Sequence, residues 1–491
     1  MKRIIITISF LAAAVFQAAA QDIGGLFDEF AQKADKEYAD FMDEANNAFA
    51  DLIKDSWKAF NILAGIDPPA KPKPKTPPVA PADTVPESVE LPEPPIPATT
   101  DQPTQPDVKP VEDSPTPAPI FPPQNTDLFK CSFYGVATPF TIPKDIIEYQ
   151  IKGNSEKAIS DFWKFIASVD YDSLIEQTKT VKRRLGLDGW TLYQWINIMS
   201  DFAFGSDVNK AEIFKVFMLN QLGLEAKLAI ADGSITTMVA FKEMVYSRMF
   251  CKINDNRYFL YPELKNVKEL YSYDINFPVQ TTPVSLEMTS ELNLTDEAGT
   301  SDAIVTVNAN SKVFGDRFAL PINQNIIRLY ADYPQVDVEI YAKSFVDPCF
   351  AEALLAAIKP HLEGKNELEQ ANTLLSYLHY DFEYATDDEQ FGYEKPFFME
   401  ENYVYPKNDC EDRSILFSFL VRNLLHLDVV LLDYPDHIAT AICFSNDVPG
   451  DYFYCNGKKY TVCDPTYIGA CAGMTMDGYQ NQEFGVKFLG R

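Results

Sequence analysis

The chain has 491 residues, enough for two or three domains of roughly 100–200 residues each. Apolar residues make up 46% and aromatics 13%, so real cores can be buried, and a net charge of −29 repels phosphate backbones and anionic lipid headgroups. No dense Lys/Arg cluster occurs anywhere, which excludes nucleic-acid binding as a function class.

Lys2 and Arg3 precede an apolar run from Ile4 to Phe16, and Ala18-Ala19-Ala20 leads into Gln21. This pattern predicts a cleavable signal peptide over 1–20 and a mature protein that is periplasmic or secreted. The run is too short to span a bilayer, and no later stretch is long and apolar enough, so no transmembrane span is expected.

Residues 21–66 read as one acidic amphipathic helix without proline. Phe27, Tyr38, Phe49 and Phe60 recur every 11 residues, as do Phe30, Phe41, Leu52 and Leu63. That period keeps the aromatic stripe on one helical face. Such a face needs cover, from self-association, from a protein partner or from the chain's own globular part. Between Pro68 and Pro123 fall 20 of the 34 prolines, and 67–126 reads as a Pro-rich disordered linker acting as a spacer.

The remainder contains a repeat. Phe140-Thr-Ile-Pro143 and the following Ile146-Ile147 resemble Phe318-Ala-Leu-Pro321 and Ile326-Ile327. Residues 207–241 also lie on 410–444 without a gap, with Phe214, Asn220, Leu222, Leu224, Leu228, Ile235, Thr237 and Phe241 identical to their partners. The expected organisation is two related modules, 127–280 and 281–491, joined by a strand-rich stretch over 284–345. The fold class expected is α+β, each module a helix packed on a small antiparallel sheet.

The second module carries the chemistry. Apolar Ile415, Leu416, Phe419, Leu420 and Leu424 fit one helical face, with Asn408 or Asp409 as N-cap, so Cys410 stands at a helix start. There the dipole and unpaired N–H groups favour a thiolate and a developing oxyanion. Leu427–Leu432 reads as a strand, Asp433–Asp436 as a turn, and His437–Phe444 as a second strand. Asn456-Gly457 marks a hairpin whose last strand ends at Cys463, followed by Asp464. Cys410, His437 and Asp464, spaced 27 residues apart each time, can meet at one sheet edge as nucleophile, base and orienting carboxylate.

Asp-Cys-Glu-Asp-Arg-Ser, then a Leu-rich helix and strand, Asp-His-Ile-Ala-Thr-Ala, and Tyr-Thr-Val-Cys-Asp-Pro-Thr together resemble the transglutaminase-like cysteine fold of the papain-like superfamily. The resemblance covers about 370–467 and, as a degenerate copy, about 190–263. It implies two papain-like modules and the same roles for Cys410, His437 and Asp464. Animal-type members carry Trp directly after the nucleophile, where Glu411 stands, which favours amide hydrolysis over crosslinking. Tyr403 and Tyr405 are candidates for the oxyanion site.

In the first module the positions of Cys410, His437 and Asp464 fall on Asp207, Ser234 and Pro262, so the scaffold is expected to persist without the chemistry. His426 reads as a helix C-cap, and His361 and His379 as surface or packing residues. Cys443, Cys455, Cys463 and Cys471 lack zinc spacing, so no metal is expected, and no cofactor motif occurs. One nucleophile among eight cysteines leaves seven, whose bonding stays open. The resulting expectation is an exported transglutaminase-like cysteine enzyme that cleaves or transfers peptide or glutamine amides through a thioester at Cys410. The competing class is a non-catalytic exported protein that binds polypeptide or cell-wall peptide on the same scaffold.

Overall fold

A computed structural model describes residues 23–68, 76–81, 88–92, 94, 126–261, 263–295 and 303–490. The expected signal peptide and most of the proline-rich stretch lie outside the described residues. Among these residues no helix is long and apolar enough to cross a membrane.

Helix α1 spans Ile23–Asp55 and stops well short of residue 66. The chain then extends, and Lys58–Ala59 (β1) pairs with Tyr271 and Ser272 at the edge of the first sheet. The helix does not present its whole 11-residue stripe to one partner. Met42, Asn46, Phe49 and Ile53 are buried, at the spacing of one helical face. Phe49 meets Trp163 at 5.1 Å and Phe277 at 5.2 Å, and the Trp163 indole N–H donates to Asn46 Oδ1 at 3.2 Å. Tyr38, Phe41 and Leu52 of the stripe remain exposed. The helix is therefore part of the first module's core.

In that module α2 (Glu156–Ala167), α3 (Gly189–Phe204) and α4 (Val208–Gln221) cover a sheet of β2 (Ala226–Ala231), β3 (Ser234–Ala240), β4 (Phe250–Ile253), β5 (Asn256–Leu260) and β6 (Leu270–Ser272). The antiparallel strands run β6-β2-β3-β5-β4. A ribbon of β7 (Ile304–Asn310) and β8 (Arg317–Asn323) opens the second half and runs into α5 (Gln324–Ala331). The same device stands at the start of the first, where Thr126–Phe129 pairs with Phe140–Pro143 before the helix Lys144–Glu148. The joining stretch is thus one ribbon followed by helices, less strand-rich than expected.

The second module places α6 (Glu367–Asp381) and α7 (Cys410–Leu420) beside β9 (Asp428–Tyr434), β10 (His437–Cys443), β11 (Tyr452–Cys455), β12 (Lys458–Cys463) and β13 (Gly485–Phe488). Its order, β13-β9-β10-β12-β11, repeats that of the first sheet strand for strand. The registers agree as well: Val239 opposes Phe259 in the first sheet, and its match Ile442 opposes Thr461 in the second. Each half is mixed α and β with an antiparallel sheet, and one apolar core runs through both.

The proline-rich stretch is a free spacer only in part. The Ala80 N–H donates to the Ile468 carbonyl at 2.9 Å, and the Leu91 N–H to that of Tyr452 at 2.7 Å. Leu91 is buried in one apolar cluster with Phe453 and Tyr460 of the second sheet and Phe484 just before β13. Two short straps thereby lie on the second module.

Candidate active site

Asp409 is the N-cap of α7, and its N–H donates to Asp412 Oδ2 at 3.1 Å, closing the first turn. Cys410 therefore occupies the first helical position. It is fully buried. One turn on, the Ser414 hydroxyl donates to the Ile438 carbonyl at 3.1 Å, which sets the start of α7 against the start of β10. His437 is the first residue of β10, just after the Pro435-Asp436 turn.

The His437 ring and the Asp464 carboxylate meet, with Nε2 to Oδ2 at 2.9 Å, both fully buried. Asp464 Oδ1 accepts the N–H groups of Thr466 at 2.9 Å and Tyr467 at 3.3 Å. Burial raises the Asp464 carboxyl, but the adjacent His437 and these donors outweigh it and hold the group below its ordinary value. The other ring nitrogen of His437, Nδ1, is buried without a hydrogen-bond partner. The Cys410 thiol donates instead to Glu411 Oε2 at 2.9 Å. The Tyr479 ring lies 5.3 Å from the His437 ring, and its hydroxyl donates to Asp436 Oδ1 at 3.0 Å.

Several groups at the site were not picked out from sequence. His379, expected on the surface or in packing, is buried on α6; one ring nitrogen, Nε2, meets the Asp464 carbonyl at 3.1 Å, and Nδ1 accepts from the Gly469 N–H at 3.2 Å. Burial pushes its imidazole down to about 4, so it is neutral and donates from Nε2. The available signal was its place four residues after the buried Leu375. Arg413 is buried; its Nε donates to Asn408 Oδ1 and its Nη2 to the Phe382 carbonyl, each at 2.9 Å. Burial lowers the guanidinium to about 10.

Acidic side chains crowd the same helix start. Ligand atoms of Asp387, Asp409 and Asp412 lie within 4.8 Å of one another, as do those of Asp387, Glu394 and Glu411, and of Asp409, Cys410 and Glu411. Backbone donors hold part of this set: Lys395 N–H to Asp387 Oδ2 at 2.6 Å, and Phe397 N–H to Asp412 Oδ1 at 2.9 Å. The carboxylates are donors of the type a hard divalent cation takes, and the thiol is not.

No known family, curated protein or solved structure matches the chain.

The other candidates sit elsewhere. Tyr403 shares a 3.0 Å hydrogen bond with the Tyr377 hydroxyl and packs on Phe350 and Phe382, while Tyr405 packs on Phe391 and Phe397 under Lys395. Neither is drawn to the thiol by these contacts. His361 stacks on Phe314 at 4.3 Å and meets Asp316 at 2.9 Å, a packing role. His426 caps its helix in the left-handed conformation, φ 57°, as Gly223 does at the matching position with φ 77°. All eight cysteines are free thiols. In the first module Asp207 caps α4, accepting from the Lys210 N–H at 3.2 Å, and Ser234 opens β3 exposed to solvent. Pro262 lies outside the described residues.

Proposed function

We propose that this protein is an exported cysteine enzyme of transglutaminase-like, papain-like design that opens peptide or glutamine amides through a thioester at Cys410. The observation that carries the reading is the buried His437–Asp464 pair, with His437 Nδ1 unclaimed, at the strand end against which the Cys410 turn packs. Asp464 fixes the imidazole so that Nε2 bears the hydrogen and Nδ1 is the base.

Turning of the thiol from Glu411 toward Nδ1 starts the reaction. The thiol proton passes to Nδ1 as sulfur attacks the amide carbon, and N–H groups at the start of α7 receive the developing oxyanion. The C–N bond then breaks, His437 gives its proton to the leaving amine, and the acyl group stays on sulfur. Water, deprotonated by His437, cleaves the thioester to a carboxylic acid and regenerates the thiol. A primary amine in place of water yields a new amide.

One observation favours a second reading, a non-catalytic exported binding protein: Cys410 is fully buried and its thiol is held by a carboxylate. The test is release of ammonia and peptide fragments, with amine incorporation, from a mixed polypeptide substrate. Cys410→Ser is expected to lower turnover at least a thousandfold with unchanged stability, since a serine hydroxyl is a far poorer nucleophile. Asp207→Ala and Ser234→Ala in the first module are expected to leave it intact. Equal binding and absent turnover in wild type and Cys410→Ser alike would transfer the assignment to the binding protein.

A further inference from the structure

Among the described residues, the ribbon that opens the second half pairs along one edge only. β7 (Ile304–Asn310) lies against β8 (Arg317–Asn323), residue for residue from Ile304 opposite Asn323 to Asn310 opposite Arg317. The Gln324 N–H donates to the Ala303 carbonyl and the Ser311 N–H to the Asp316 carbonyl, each at 2.8 Å. Those two bonds fix the alternation. Odd-numbered residues of β7 turn their N–H and C=O toward β8, while Ile304, Thr306, Asn308 and Asn310 turn theirs away. Pro321, opposite Thr306, agrees: it has no N–H to give and sits where that N–H would point off the ribbon. Among the described residues, nothing meets the outward N–H and C=O groups of these four residues of β7.

The edges of the two large sheets are guarded. β1 closes the β6 edge, and Leu63 exchanges two backbone hydrogen bonds with Phe250 at the β4 edge. At the β11 edge the Leu91 N–H donates to the Tyr452 carbonyl and the Tyr452 N–H to that of Val89. The fourth edge, β13, carries Lys487. The matching ribbon of the first half has an outer strand of four residues, Thr126–Phe129, with Asp127 in it. Cover, short length, charge and proline are the usual means of keeping an edge from pairing. β7 has none of these. Its seven residues, Ile-Val-Thr-Val-Asn-Ala-Asn, hold no charge and no proline, and the first four are β-branched.

The strand that fits this edge is its own copy. With a two-fold axis at Val307, Ile304 of one chain stands opposite Asn310 of the other, and Thr306 opposite Asn308. Every outward N–H and C=O then finds a partner. The odd side chains continue one apolar row, in which Val307 meets its own copy and Val305, 39% exposed in one chain, meets Ala309. The whole chain carries −29, so two copies repel wherever their carboxylates face one another, and along this edge there are none. We propose that β7 pairs antiparallel with β7 of a second copy, joining the two ribbons into one four-stranded sheet in a two-fold dimer. The pairing is independent of the thioester reading.

The test is sedimentation velocity of the full chain over about 1–200 µM in 0.15 M salt, where repulsion is screened beyond about 8 Å. A reversible monomer–dimer equilibrium in the micromolar range is expected, since one strand pair buries less than an obligate interface. Thr306→Pro deletes one outward N–H, spares the bonds between β7 and β8, and is expected to weaken the dimer about tenfold or more. Thr306→Lys makes the new lysines of the two copies diagonal neighbours and is expected to weaken it about fivefold or more. Adding Asn308→Glu sets each new carboxylate opposite the other copy's new lysine and is expected to restore the wild-type constant within about threefold. Melting temperatures of the dilute, monomeric variants are expected to match wild type; if Thr306→Pro fails to fold, the lysine–glutamate exchange decides alone. A wild type monomeric at the highest concentration would overturn the pairing and leave the edge to an extended segment of another polypeptide. A dimer untouched by both Thr306 variants would overturn it in favour of another surface, such as exposed Tyr38 and Phe41 of α1. A lysine variant that the glutamate does not rescue would overturn the register.

Discussion

The two modules share a strand order and differ in where they bury charge. In the first, Glu212 and Lys215 sit in the middle of the helix–sheet interface: Lys215 Nζ donates to Glu212 Oε1 at 2.8 Å, and the Thr237 N–H donates to Oε2 at 2.8 Å. The matching residues of the second are Ile415 and Ser418, and the Ser418 hydroxyl only bonds back to the Ile415 carbonyl. There the buried charge has moved to the helix start and the strand ends, to Asp409, Glu411, Asp412, Arg413, His437 and Asp464. Charge in the middle pins a helix to a strand and can meet nothing else. Charge at the rim of the same scaffold borders the space a substrate can reach. Desolvation makes both arrangements costly, so each is tied by several hydrogen bonds.

The strongest way to break this comparison on the structural side is to move the first module's charge. Glu212→Ala leaves Lys215 buried with only the exposed Asp201 carboxylate, 3.7 Å away, and is expected to cost about 3–5 kcal/mol in denaturant unfolding. Glu212→Ile with Lys215→Ser, the second module's own pair, is expected to recover most of that loss. A double variant as unstable as the sum of the singles would show that the interface has diverged beyond exchange.

A sharper and slightly smaller effect comes from pH, through two buried groups of the second half. Glu400 is raised to about 7, burial outweighing its donors Asp347 N–H and Tyr330 OH, from an ordinary value of 4.5. Its contribution is fully present below about 4.5 and is lost as pH rises through about 7. His379 is lowered from 6.5 to about 4, so its contribution is present above 6.5 and is lost as pH falls toward 4. Each amounts to about 3 kcal/mol at most, and between pH 4.5 and 6.5 they oppose one another. Relative to wild type, the slope of stability with pH over that window is expected to become more positive in Glu400→Gln and more negative in His379→Gln; slopes unchanged by either substitution would rule out this linkage.

The smallest effect concerns the straps. The first module is covered by α1 and β1, the second by residues around Ala80 and Leu91. Ala80→Pro removes the N–H that meets Ile468 and is expected to lower stability by about 1 kcal/mol. No change at all would mean that the strap lies on the second module without holding it.

Local signals in the second module were legible because they rest on nearest neighbours. The Pro435-Asp436 turn, the Asn456-Gly457 hairpin with both residues left-handed, and the helix start at Cys410 follow from turn chemistry and capping. The ungapped 35-residue match between modules predicted a repeat for the same reason, since identical apolar spacing dictates identical faces, but it spans one helix and two strands, and the order of all five strands is read only from the structure. The end of α1 was misjudged because nothing local stops it. Trp57, Lys58 and Phe60 leave the helix to join a sheet whose strands lie about 200 residues on, and no sequence window contains that competition.

Residue identity by itself determined the repeat, the negative charge, the confinement of imidazole to the second half and the thiol at a helix start. Only the tertiary structure decided which of the four histidines stand at the site, that His379 supports Asp464 from α6, that Glu411 holds the thiol, and that tyrosines from both modules enclose one cavity. Apart from the adjacent Cys410 and Glu411, whose contact depends on side-chain orientation, those relations join groups tens to hundreds of residues apart. They depend on burial and on which hydrogen-bond donors remain unspent, quantities that exist only once the chain has closed on itself.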